Sequence, residues 1–280
     1  MGKNLSRRDF LKAGAATLLG TAGAAALGQA AQRVSAASPS QMSHGDAMAM
    51  VIGEVDHRRN GFNPSDILTD FDYGRISTLE NGQILREYDL YTIDKTIEVV
   101  PGIEYPAWTF NGRIPAPTIR CTEGDRIRIY FRNLGSHPHS IHFHGVHEAA
   151  MDGVPGTPGL IQPGESFIYE FDAEPFGVHL YHCHASPLAR HIAKGLYGAF
   201  IIDPKGGRPS VDHEFVMVMS GFDVDFDDEN DFYAVNAIPF HYQLHPIPIR
   251  ANAKVRIYLV NILEFDLINS FHLHANFFHV

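Results

Sequence analysis

The sequence predicts an all-β fold of two consecutive β-sandwich domains. Three observations carry this. Segments such as 126–133 and 254–261 alternate apolar and polar residues, as half-buried antiparallel strands do. Turn signals such as Pro163-Gly164 and Gly206-Gly207 separate many short strands. An internal repeat is also legible: Phe110-Asn111-Gly112-Arg113-Ile114-Pro115 is echoed by Val235-Asn236-Ala237-Ile238-Pro239. Likewise, Arg126-Ile127-Arg128-Ile129-Tyr130-Phe131-Arg132-Asn133 is echoed by Lys254-Val255-Arg256-Ile257-Tyr258-Leu259-Val260-Asn261, and each copy then runs into an HxH pair.

Taken in order, residues 1–36 are expected to be an export signal. Ser6-Arg7-Arg8-Asp9-Phe10-Leu11-Lys12 is a twin-arginine pattern, followed by an Ala/Gly/Leu-rich stretch from Ala13 to Ala26 and a cleavage signal at Val34-Ser35-Ala36. That stretch is too short and too poor in large apolar residues to span a membrane. The expected destination is periplasmic or extracellular. Residues 37–83 read as a flexible linker or N-terminal extension, with Met42, His44, Met48 and Met50 at no fixed ligand spacing. Domain 1 is placed at 84–205 and domain 2 at 212–280. Between the repeats, Asp223-Val224-Asp225-Phe226-Asp227-Asp228-Glu229-Asn230-Asp231 reads as a solvated loop. His241 and His245 are expected to face solvent. The 280 residues suffice for two ordinary domains, and 22 basic against 32 acidic residues, with no basic run, exclude a nucleic-acid partner.

The chemistry concentrates in histidine. Of 17 histidines, 12 fall in three clusters at 137–147, 179–191 and 272–279. Tyr181-His182-Cys183-His184 reads as a strand, so Cys183 points to one face and His182 and His184 to the other. One short piece of backbone can then serve two metal centres. In the pairs His142/His144 and His272/His274, both imidazoles share a strand face. A His₂Cys set of His139, Cys183 and His191 has the composition of a blue-copper electron-transfer site. The other six, His142, His144, His182, His184, His272 and His274, would hold further copper. Only two cysteines occur. Cys121 reads as a small buried residue, the alternative being a Cys121–Cys183 disulfide.

The HxxHxH pattern at 139–144 and the HCH…H…GL pattern at 182–196 resemble those of the multicopper oxidases. So do the stretch from Trp108 to Pro117, Asp152-Gly153-Val154-Pro155-Gly156 and Gln162-Pro163-Gly164-Glu165-Ser166. The resemblance covers about residues 85–280 and is strongest to the two-domain enzymes, relatives of copper nitrite reductases and small laccases. It implies cupredoxin-like Greek-key domains and four coppers per complete subunit. Type 1 copper would take His139, Cys183 and His191, with non-ligating Leu196 at the axial position. Type 2 copper would take His142 and His272, and the type 3 pair His144, His182, His184 and His274. It further implies a laccase-like oxidase in a homotrimer, passing single electrons from a phenol, metal ion or small redox protein to O₂. Nitrite reductases resemble this chain but carry Asp where His142 stands and HCA where His182-Cys183-His184 stands. A copper nitrite reductase and a non-catalytic cupredoxin-type copper or electron-transfer protein remain the alternatives. Domain 2 lacks a counterpart of His139, because Asn269 occupies that place. Domain 1 continues past its HxH over residues 145–204, domain 2 only over 275–280. Domain 2 is therefore expected to be C-terminally incomplete, short of two cluster histidines, and the chain alone inactive.

Overall fold

The computed structural model describes residues 52–265, 269–274 and 276–280. The expected export signal and the Met42, His44, Met48 and Met50 group lie outside the described residues. The strands are β1 (Phe71–Asp72), β2 (Arg75–Thr78), β3 (Ile84–Val100), β4 (Ile103–Phe110), β5 (Thr118–Thr122), β6 (Arg126–Asn133), β7 (His142–Phe143), β8 (Ser166–Asp172), β9 (Gly177–His182), β10 (Tyr197–Asp203), β11 (His213–Phe222), β12 (Phe232–Val235) and β13 (Val255–Asn261). Among the described residues helices are short and few, so the fold is the all-β one that alternation and turn spacing predict.

Two five-stranded sheets face each other over residues 71–203, which take in the expected domain 1 and two strands from the segment before it. One has the order β1-β5-β10-β9-β7; the other runs β2-β3-β6-β8, with β4 pairing β3. The alternation in β6 sets the packing: Ile127, Ile129 and Phe131 are buried, while Arg126, Arg128 and Tyr130 are partly exposed. The buried set shares one core with Ile119, Cys121, Phe200, Ile202 and Cys183. A third sheet, β12-β11-β13, packs against the outer face of β10. Strand β10 is thus walled on both sides. Phe200 and Ile202 enter the first core, whereas Tyr197, Ala199 and Ile201 enter a second with Val216, Val218, Tyr258 and Val260. Burial on both faces is why β10 reads as an unbroken apolar run rather than an alternating one.

The part of 37–83 that is described is not a loose linker. Val55, Phe62 and Ile67 insert into the second core, β1 pairs with β5, and β2 pairs with β3. Its polar composition misleads because it is capping chemistry. The Asp56 carboxylate accepts from the N–H groups of Arg58 and Arg59 to start the helix His57–Asn60. Asn63 caps Pro64–Ile67, where Pro64 fits the first turn. His241, expected at the surface, is buried instead. It starts a short helix, His241–Leu244, whose imidazole Nε2 lies 2.7 Å from Ser65 Oγ of the N-terminal segment. Burial lowers its pKa to about 4. His245 is exposed and pairs with Glu54 at 2.9 Å. The acidic run is a folded loop, since buried Asp223 accepts from the Asp227 and Asp228 N–H groups at 3.1 and 3.0 Å.

Candidate metal centre

Strand pairing builds the centre. β7 pairs antiparallel with β9, so His142 sits opposite His182 and Phe143 opposite Tyr181. Partners in register stand side by side on one face. Strand β9 ends at His182, two residues earlier than the sequence suggests, and Cys183 and His184 follow directly. The alternation survives the strand end. The Cys183 N–H donates to Leu196 O at 3.0 Å, and the thiol enters the first core with Leu196, Ile141 and Phe143. His139 is pinned by mutual backbone hydrogen bonds with Ile161 at 3.1 and 3.0 Å. His191 rides on the helix Leu188–Ala193.

Cys183, His139 and His191 converge. Cys183 Sγ lies 3.2 Å from His191 Nδ1 and 3.7 Å from His139 Nδ1, and the two Nδ1 atoms are 3.3 Å apart. Three donors bound to one ion at about 2.0–2.3 Å in a plane stand about 3.5–4 Å apart, so these residues fit one metal. Burial holds the imidazoles neutral, with pKa values lowered to about 3 for His139 and about 4 for His191, which leaves their lone pairs free. Burial also pushes the Cys183 thiol up to about 11, so a metal must displace its proton. Ser140, which sequence reasoning passed over, donates its N–H to Cys183 Sγ at 3.4 Å, and its hydroxyl accepts from His184 N–H at 3.1 Å. Leu196, fully buried beside the thiol, offers no ligand atom. Cys121 is a buried free thiol and forms no disulfide with Cys183.

A second set gathers around His142. Its ring centroid lies 5.1 Å from His144, 5.2 Å from His182 and 5.1 Å from His184. His144 Nε2 and His182 Nε2 are 3.2 Å apart. One ring nitrogen each of His142, His144 and His182 falls within 4.8 Å of the others. His184 Nδ1 is buried without a hydrogen-bond partner among the described residues, as a nitrogen kept for a metal would be. Burial lowers the pKa of His182 to about 4 and that of His144 in the same direction. His142 Nδ1 donates to Asp152 O at 2.7 Å, with the Asp152 carboxylate at 3.1 Å, which fixes the tautomer and leaves Nε2 free. Gly153 permits this approach: a Cβ there would lie 2.1 Å from Ile141 O. His147 Nε2 lies 2.7 Å from Phe143 O and His179 Nε2 lies 2.8 Å from Pro175 O, so both imidazoles are tied to backbone. His272 and His274 lie ring to ring at 4.8 Å and are exposed, and no described ring contact joins them to the His142 set.

Comparisons with known proteins point to one family of copper proteins. A family model described as multicopper oxidase matches residues 93–207. A solved multicopper oxidase structure is 58% identical with a TM-score of 0.79, over 81% of this chain and 80% of that one. The chain belongs to the multicopper oxidases. It is also 38% identical to the copper-containing nitrite reductase of Neisseria meningitidis serogroup A over 47% of this chain, spanning 34% of that relative's length. Laccase 1 of Metarhizium guizhouense is 41% identical over 35% of this chain and 16% of its own. The multicopper oxidase described by these residues is an oxidoreductase whose metal is copper. Among the described residues, no helix is long and apolar enough to cross a membrane.

Proposed function

We propose that this multicopper oxidase takes single electrons from a reductant at the His139/Cys183/His191 set and delivers them to O₂, which leaves as water, at a cluster built on the His142 set. Copper supplies the one-electron chemistry and the affinity for O₂ when bound. One observation carries the reading: a single stretch of backbone, His182-Cys183-His184, gives its thiol to one set and both imidazoles to the other. The covalent path between the sets is two side chains and the bonds between adjacent residues. Ser140 holds both ends of that path, at Sγ and at the His184 N–H. Asp152 orients His142 and is placed to pass protons toward it.

The finer assignment gives type 1 copper to His139, Cys183 and His191, type 2 to His142 and His272, and type 3 to His144, His182, His184 and His274. His272 and His274 would arrive from a neighbouring copy in a homotrimer. Val146, Phe176 and Val178 are 66%, 53% and 42% exposed, apolar surface that supports contact with a neighbouring copy. Export by the twin-arginine route rests on Ser6–Lys12.

An imidazole at position 142, packed among three others, favours the oxidase over the nitrite reductase. The test uses the copper-loaded protein after reduction. O₂ should restore the blue absorption and nitrite should not; recovery with nitrite at a rate comparable to that with O₂ would establish the nitrite reductase reading instead.

A further inference from the structure

Cys183 and His139 are 0% exposed and His191 is 2% exposed, so no reductant touches the ligands of the first set. An electron from outside must cross at least one layer of side chains. Trp108, the sole tryptophan of the chain, forms part of that layer. Its ring centroid lies 4.8 Å from His191 and 5.4 Å from His139, and it is the one ring among the described residues that meets both. The exposed imidazole of His137 lies 4.5 Å from it. Trp108 is itself only partly buried.

Its placement is fixed from the backbone. The Trp108 N–H donates to Lys194 O at 2.9 Å, which ties β4 to the end of the helix carrying His191. Gly195 follows at φ +113°, and a Cβ there would stand 3.0 Å from Trp108 O and 2.2 Å from Ile114 Cδ1. The glycine lets the two chains close and seats the indole against the ligands.

We propose that Trp108 is the residue across which the reductant's electron reaches the first set. This rests on that set holding a redox copper. One electron leaves the reductant and one arrives at the oxidised metal. No bond forms or breaks at Trp108, no proton moves there, and the indole ends unchanged.

The test is stopped-flow reduction of the copper-loaded protein by hydroquinone without O₂, followed at the blue band. Trp108→Leu should keep the band and the reduction potential but slow reduction by about 10- to 100-fold, the range for residues packed behind metal ligands. Trp108→Phe should recover most of the rate. A purely structural role would shift the band or the potential and would not sort the variants by possession of a ring. A wild-type rate in Trp108→Leu with its band intact overturns the proposal. If Trp108→Leu does not hold copper, Trp108→Met, also without a ring, takes its place under the same criterion. Independently, acrylamide should quench the sole tryptophan's emission in the copper-free protein, and an indole closed to acrylamide overturns the proposal too. A wild-type protein that loads copper without colour would instead sink the copper reading on which the proposal rests.

Discussion

The two sets of metal ligands differ in how they are enclosed. His139, Cys183 and His191 are all buried, Cys183 within the first core, and all three come from one sandwich. In the second set, His182 is buried, His142 and His184 are half-buried, and His144 is exposed. The closed set has its ligands in place before any metal arrives. The open set leaves three of its four imidazoles partly or fully exposed, so ligands from elsewhere can reach it. Enclosure suits a centre that only passes electrons, whereas access suits one that must admit a small substrate.

The most disruptive change to this contrast is Cys183→Ser. It should abolish the blue absorption while circular dichroism shows the sandwich still folded, because serine fits the buried site but supplies no thiolate. His142→Ala should do the reverse. The blue band should stay at full intensity, since none of its ligands touches position 142, while the electron paramagnetic signal of type 2 copper disappears. Asp152→Asn, which weakens the orientation of His142, should lower turnover or metal affinity at the second set by about 10- to 100-fold, again with an unchanged blue band. A loss of blue colour in either of the last two would mean that the sets are not independent.

A smaller effect concerns acid. Burial lowers His139 to about 3 and His182, His191 and His241 to about 4, against about 6.5 for an unfolded imidazole. The unfolded chain therefore takes up protons first as pH falls. Copper-free protein should lose stability progressively from about pH 6.5 down to about pH 4. Urea midpoints across that range check this, and His241→Phe should flatten the slope by removing one of the four imidazoles.

Much of this was legible in the sequence because strand periodicity is local. Alternation alone placed Cys183 opposite His182 and His184, and the HxxHxH spacing put His142 and His144 together. Contacts between distant segments were not legible. His241 looks like a surface histidine until Ser65, far away in the chain, covers it. Residues 55–78 look like linker because their Asp, Asn and Pro act as helix caps, which share the composition of loops. Trp108 stood inside a recognisable stretch, but nothing in its spacing shows that it packs on two imidazoles from other elements. Ser140 is a similar case, since its role depends on which atoms meet rather than on residue type.

The central claim is that Cys183 divides two copper centres. The most direct measurement is the anomalous diffraction of copper-loaded crystals at the copper edge. The account predicts one peak among Cys183 Sγ, His139 Nδ1 and His191 Nδ1, and separate density at His142, His144, His182 and His184. A peak that Cys183 shares with His182 or His184 as direct ligands would contradict it.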